Sequence, residues 1–224
     1  VKAATDPIRA YDALAATYDD LYHRPIDAAE DRLLGRVLRP LVAGRSVVDL
    51  ACGTGLLLDI GAEPSSYLGV DGAPRMLERL RVKHPSASTR LADLRQRAEW
   101  LPEERVDVVT CLFAASYLDP ARWLGLAVSL LRQGGLLFLH GYTARYRHRQ
   151  HYALHGAYTP EWVTRRWERE ARASGFPDAR LMGLNAVSDE LRLPRVALEA
   201  SLAVSTRLPP SWSLHAALIG HYLD

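Results

Sequence analysis

Cysteine is nearly absent from this 224-residue chain: Cys52 and Cys111 are the only two, each inside an apolar, strand-like run. Two thiols in such settings read as small buried hydrophobes, which excludes a disulfide framework and a thiolate metal site. Lysine is equally scarce, at positions 2 and 83 alone, and arginine carries the rest of the basic charge, a pattern that reads as genome composition. The 28 basic and 26 acidic residues leave a net charge of +2, too small to point to a nucleic-acid partner. No apolar run approaches the roughly 20 residues that span a bilayer. The opening VKAATDPIRA also lacks the apolar centre of a signal peptide. With 48% hydrophobic and 24% charged residues and no repeat or composition break, the expectation is one cytoplasmic domain over 1–224.

What is present is alternation. Asp27 to Val42 carries Leu33, Leu34, Val37, Leu38 and Leu41 at helical spacing, and Gly44 stops it. Ser46 to Ala51 reads as a strand, Leu56 to Ile60 as a brief helix, Tyr67 to Val70 as a second strand, and Pro74 to about His84 as a helix begun by proline. Thr89 to Ala92 and Val106 to Phe113 read as strands, and Ala121 to Arg132 as a helix closed by Gly134-Gly135. Leu136 to Tyr142 follows as a fifth strand, then a helix after Thr159-Pro160, and strand-like runs Ala179 to Asn185 and Val196 to Ser205. Such alternation implies right-handed βαβ units around a parallel sheet. The expected fold is α/β, doubly wound and Rossmann-like, with a mostly parallel seven-stranded sheet, an antiparallel edge strand and helices on both faces.

The stretch VVDLACGTG, Val47 to Gly55, sets two glycines directly after a strand. Glycine lets backbone approach a ligand with no Cβ in the way, and the next helix offers free N–H groups. The dinucleotide fingerprint G-x-G-x-x-G fails at Leu58, but Asp49 precedes the turn to give D-x-x-x-G-x-G. The second strand ends in Asp71, where a carboxylate can accept from both hydroxyls of a ribose. The third ends in Ala92-Asp93-Leu94, where an acid and adjacent backbone can read an adenine edge.

From about Tyr11 to Ser205 the chain resembles the class I S-adenosylmethionine-dependent methyltransferases of the small-molecule type. VVDLACGTG looks like that family's first motif, YLGVDGAPRML its second, LADL its third, VDVVTCLFAASYL its fourth and LLRQGGLLFLHGY its fifth. YDALAATYDDLY resembles the aromatic lid that precedes these domains. The resemblance implies S-adenosylmethionine as cofactor. Gly53 and Gly55 would lie against its methionine part, with Asp49 supporting the turn. Asp71 would hold the ribose, Met76 would pack near the adenine, and Asp93 would bond the adenine amine. Leu112 or Phe113 would line the methionine arm, and Tyr18, Ala51, Gly72 and Leu94 complete the expected cofactor set. Two departures stand out: the helix after Gly55 is short, and Ser116, followed by Tyr117, occupies a place where many relatives carry histidine.

Methyl transfer from a sulfonium is an in-line displacement in which positioning does most of the work. For a general base, His140 at the end of the fifth strand is the leading candidate, with Tyr117 and Tyr18 as further catalytic candidates. Tyr11, Tyr142, Arg147, Arg149 and His151 are the expected substrate-side residues. The last three fall in ARYRHRQHYALHGAY, read as a cap over residues 143–160 that recruits an acidic or carrier-bound small molecule. His148, His151 and His155 share one helical face, but without nearby carboxylates or thiolates no metal site is expected.

The organisation expected is a lid and first helix over 1–45, a cofactor-binding core over 46–142, the cap, a helix and strands over 161–205, and a tail over 206–224. In the tail, Leu214, Leu218 and Tyr222 could form one face of a short helix, and the chain is expected as monomer or homodimer. The leading reading is methyl transfer to an O, N or C nucleophile of a small, specialised metabolite, without nucleic-acid or membrane partners. The alternatives are the same fold binding its cofactor for a non-methylating reaction such as cyclisation, a nicotinamide-dependent oxidoreductase, and a cofactor-free interaction module.

Overall fold

The computed structural model describes residues 6–23, 25–96, 101–114, 117, 120–139, 180–184, 201–207 and 213–218. Five strands run parallel in the order β3-β2-β1-β4-β5: β1 (Ser46–Leu50), β2 (Ser66–Asp71), β3 (Ser88–Leu91), β4 (Val106–Cys111) and β5 (Leu131–Leu139). Strand order reverses between β1 and β4, so a crevice opens beyond their carboxyl ends, the usual ligand position in such sheets. Val47, Val108, Leu136 and Phe138 face one side and are buried with Leu34, Leu38 and Val42 of α2 (Pro25–Val42). Their i, i+4, i+8 spacing forms the helical stripe the sequence shows. Val48, Leu50, Val109, Cys111, Leu137 and Leu139, of the opposite parity, are equally buried. A sheet covered on both faces explains why these strands lack polar alternation.

α3 (Leu56–Asp59) is a single turn, as expected, while α4 (Pro74–Lys83) starts at proline and buries Met76, Leu77 and Leu80. The amino-terminal α1 (Pro7–Leu14) is capped by Asp6, whose carboxylate accepts from the Ile8 N–H at 3.0 Å, and has proline at its first position. α1 packs on α4 through Ala15, Ala73 and Met76, with Ile8, Tyr11 and Tyr18 alongside.

Two expectations are corrected. The glycine pair Gly134-Gly135 does not close a helix: α5 (Pro120–Leu130) ends earlier, and the glycines sit inside β5. Pairing with β4 skips from Leu131 to Leu136, and Gly134 takes φ +76°, so the glycines accommodate an irregularity in the strand. The tail segment expected as a helical face forms β8 (Ser213–Leu218), parallel to β5 and antiparallel to β7 (Ser201–Arg207). β7 also pairs antiparallel with β6 (Arg180–Leu184), so that the described residues form one sheet in the order β3-β2-β1-β4-β5-β8-β7-β6. Pairing with β5 on one side and β7 on the other places SLHAAL in the sheet, and such long-range pairing leaves no mark in a helical spacing of three residues.

Candidate active site

Gly53 and Gly55 take φ +53° and +99°, so the turn after β1 requires glycine on conformational grounds. Among the described residues, Ala51 at φ +53° and Phe113 at φ +60° are the left-handed residues that carry a side chain. They follow β1 and β4 at the point where strand order reverses, and neither is glycine. Unfavourable backbone at such a position is typical of a functional site.

Both residues line an open cleft whose empty space, including the part continuous with solvent, is about 780 Å³. Its floor is Ala51, Gly53, Asp71 and Gly72; Asp93 and Leu94 stand on the β3 side; Leu112 and Phe113 stand on the β4 side. Met76 of α4 and the tyrosines Tyr11, Tyr18 and Tyr117 close it. Thus ten of the twelve expected cofactor residues converge on one cleft, together with the candidates Tyr11 and Tyr117. The two others lie elsewhere. A Cβ on Gly55 would come within 3.2 Å of Leu80 and 3.3 Å of His84, so this glycine serves the packing of the turn on α4.

Asp49, expected to support the turn, instead faces across the sheet. It is 1% exposed; Thr110 Oγ1 donates to its Oδ1 at 2.7 Å and the Tyr67 hydroxyl to its Oδ2 at 3.1 Å. Burial pushes its carboxyl up to about 7, against those two hydrogen bonds. Strand register creates this arrangement by setting Asp49 opposite Thr110 on β4 and Gly69 on β2. A Cβ on Gly69 would meet Cys52 Sγ at 2.9 Å and the Tyr67 hydroxyl at 3.0 Å, so the glycine makes room for the tyrosine.

The direct support of the turn is Asp71. Its Oδ2 accepts from the Gly53 N–H at 2.9 Å and its Oδ1 from the Ala73 N–H at 2.8 Å. Burial raises its pKa, opposed by those backbone donors. With the Gly72 N–H also acting on the group, the carboxylate still keeps acceptor capacity to spare. Asp93 is more fully engaged: Arg95 N and Nε donate to Oδ1, both at 2.9 Å, and Arg95 Nη2 at 2.9 Å and Gln96 Nε2 at 3.4 Å donate to Oδ2. Burial works against its ionisation, but the Arg95 bonds prevail and hold it below the ordinary carboxylate range.

Arg95 was not foreseen, nor were Pro7, Ile8 and Ala114, which also line the cleft. Arg95 reaches Asp6 at 3.2 Å as well as Asp93, tying the start of α1 to the loop after β3. The signal was local, a basic residue two positions after a strand-end acid, but its partner Asp6 is distant in sequence. A Cβ on Gly72 would strike Ile8 Cδ1 at 2.6 Å, so Gly72 admits α1 to the cleft wall.

The tyrosines form a chain. Tyr11 stacks edge-on with Tyr18 and with Tyr117 at 5.9 Å in each case, and the Tyr11 and Tyr117 hydroxyls are 2.8 Å apart. Burial holds the Tyr18 phenol well above its usual pKa. His140, Tyr142, Arg147, Arg149 and His151 lie outside the described residues, as do Ser116 and the rest of the cap. Among the described residues no group of three or more His, Cys, Asp or Glu is placed to hold a metal, and no helix is long and apolar enough to cross a membrane.

Residues 48–137 match the model of a methyltransferase domain. A ubiquinone biosynthesis O-methyltransferase of Pseudomonas paraeruginosa is 37% identical over 106 residues, 44% of each chain, so this chain spans less than half the length of the curated relatives it matches. Among solved structures, a Haloferax volcanii putative methyltransferase, determined with the Trm112 methyltransferase activator, aligns with TM-score 0.57 and 22% identity over 80% of both chains. A putative methyltransferase from Bacillus halodurans aligns with TM-score 0.54 and 18% identity, over 74% of this chain and 79% of its own. These two likenesses are of fold. The segment similar to that domain holds the glycine turn, both strand-end carboxylates and the β4 wall of the cleft.

Proposed function

We infer that this protein transfers a methyl group from S-adenosylmethionine to an oxygen, nitrogen or carbon nucleophile of a small molecule, a specialised metabolite being the favoured acceptor. One observation carries the reading: the two left-handed residues, the glycine turn and the two strand-end carboxylates converge on one cleft at the point where strand order reverses.

The residues fit the cofactor. A Cβ on Gly53 would meet nothing within 4 Å, so that turn faces open space against which a ligand's backbone-like portion can lie. The remaining acceptor capacity of Asp71 suits the hydroxyls of a ribose. Ile8, Met76 and Leu94 offer an apolar slot for a flat base. An amine approaching Asp93 would take the place of Gln96, the longest of its four contacts. The one described cation in the cleft wall, Arg95, has its charge matched by Asp93 and Asp6, which leaves a sulfonium unopposed.

When bound, the cofactor supplies an activated methyl on a sulfonium. The chain's own part is to orient, to exclude water and to manage a proton. Tyr11, Tyr18, Phe113 and Tyr117 give a wall of aromatic faces that shields the site and favours positive charge. Tyr18 remains a neutral phenol at cellular pH, so its part is to wall the site or donate a hydrogen bond. His140, from its place just after β5, remains the proposed base for an acceptor that must lose a proton. The cap residues Tyr142, Arg147, Arg149 and His151 are proposed to meet the acceptor.

The test is product analysis. Methyl-labelled S-adenosylmethionine is offered with panels of small phenols, carboxylic acids and amines. Label in an acceptor with matching S-adenosylhomocysteine supports the proposal. Acceptor conversion without S-adenosylhomocysteine would instead establish a non-methylating reaction such as cyclisation.

A further inference from the structure

Three acids of the amino-terminal segment each reach into the core. Asp6 meets Arg95, Asp12 accepts from the Arg75 N–H at 2.8 Å, and Asp19 meets the glycine turn itself. The third contact is the least explained by simple docking. Thr54, between Gly53 and Gly55, is 4% exposed, and its hydroxyl donates to Asp19 Oδ1 at 2.5 Å. Asp19 Oδ2 is held by Lys83 Nζ at 3.3 Å and Arg79 Nη2 at 3.4 Å, both from α4. Lys83 also pairs with Asp59 of α3 at 2.6 Å.

The turn is therefore gripped from two sides. Asp71 takes the Gly53 N–H on the sheet side, and Asp19 takes the Thr54 hydroxyl on the lid side. The Gly55 N–H closes the turn on the Cys52 carbonyl at 3.0 Å, and the two carboxylates add holds on the residues between, at Gly53 and Thr54. Asp19 is also chain neighbour to Tyr18, which lines the cleft. A single carboxylate thus links the surface under the ligand to the aromatic wall over it. Burial works against ionisation of Asp19, but the Thr54 hydroxyl and the Lys83 and Arg79 cations outweigh it and keep the group charged.

We propose that Asp19 is a positioning residue for the cofactor: through Thr54 it holds the glycine turn and Tyr18 in one fixed relation, so that cofactor affinity depends on a carboxylate that does not touch the cofactor. This rests on the reading of the cleft as an S-adenosylmethionine site.

The experiment is calorimetric binding of S-adenosylhomocysteine, with thermal unfolding of the ligand-free protein measured beside it, on wild type and five variants. Asp19→Asn and Thr54→Val should each raise Kd roughly tenfold, about 1.4 kcal/mol. The double variant should be no weaker than either single one, because both break the same link. Thr54→Ser keeps the hydroxyl and should bind as wild type does. Asp20→Asn removes the neighbouring charge, which is exposed and near His23, and should also leave Kd unchanged. With a labelled acceptor in hand, the single variants should raise KM for S-adenosylmethionine more than they lower kcat. Unchanged Kd in Asp19→Asn, or additive losses in the double variant, would overturn the proposal. If Asp19→Asn does not fold, the Thr54→Val and Thr54→Ser pair decides: equal affinities overturn it. A wild type that binds no S-adenosylhomocysteine overturns the cofactor reading and this inference with it, whereas binding that is intact in all variants overturns this inference alone.

Discussion

Replacing the buried Asp49 by asparagine should change how stability varies with pH. Asp49 carries a proton up to about pH 7 in the folded protein, because burial among β1, β2 and β4 outweighs the hydrogen bonds from Thr110 and Tyr67. In the unfolded chain the same carboxyl ionises near 3.9. Below pH ~4 both states are protonated and the group costs nothing. As pH rises from ~4 to ~7 the unfolded chain loses its proton while the native state keeps it, so stability falls. Above ~7 the penalty is constant, on the order of 4 kcal/mol for a difference of this size. Asparagine has no such dependence. Its carbonyl can still accept from Thr110, and its NH₂ stands where the neutral acid carries its O–H, so the hydroxyl facing that group accepts in both proteins. Asp49→Asn should therefore match wild type within about 1 kcal/mol at pH 4 and be more stable by about 2–4 kcal/mol at pH 8. For a chain of this length that is a swing in relative Tm of about 10 °C. Thermal unfolding of both proteins across this range is the assay, and the lowered carboxylates Asp19, Asp93 and Asp107 cancel because they are common to both. A difference in Tm that does not vary with pH would refute the reasoning.

Other outcomes follow from single contacts. Ala51→Gly should leave Tm unchanged or raise it, by up to about 1 kcal/mol of relieved left-handed strain, whereas Ala51→Val should lower stability by about 1–3 kcal/mol; both are read by urea unfolding. Gly69→Ala, whose Cβ meets Cys52 Sγ at 2.9 Å and the Tyr67 hydroxyl at 3.0 Å, and Gly72→Ala, whose Cβ meets Ile8 Cδ1 at 2.6 Å and Cγ1 at 2.8 Å, should each destabilise by about 1–3 kcal/mol, read by urea unfolding. Asp107 accepts from Ser46 N at 2.9 Å and Oγ at 3.0 Å and pairs with Arg132; burial opposes its ionisation, but these contacts prevail and lower its pKa. Its stabilisation is complete above the unfolded value of ~3.9 and lost as pH falls through the lower folded value, so Asp107→Asn should flatten the acid limb of the Tm profile.

The cleft was legible where function depends on local backbone. The glycine turn, Asp71 and Asp93 stand at strand ends whose apolar runs mark themselves, and the structure brings them together. What depends on register was not legible. Asp49 reads from the sequence as a support for the turn four residues later, and only the pairing of β1 with β2 and β4 sets it opposite Thr110 and beside Tyr67. The links made by Asp6, Asp12 and Asp19 likewise join residues far apart in sequence, and no spacing rule reports them. The tail misled for a different reason: the same leucines that could mark one helical face at 214 and 218 also fit a short strand, and a partner strand decided the outcome.

The most direct test of the central claim is calorimetric titration of S-adenosylmethionine, S-adenosylhomocysteine and NAD into wild type and Asp71→Asn. Asparagine retains one acceptor for the Gly53 or Ala73 N–H but loses the paired carboxylate oxygens. Binding of both sulfur cofactors by wild type, no binding of NAD, and affinity lowered at least tenfold in Asp71→Asn is the predicted result. Absence of sulfur-cofactor binding in a folded wild-type protein, or affinity unaltered in Asp71→Asn, would contradict it.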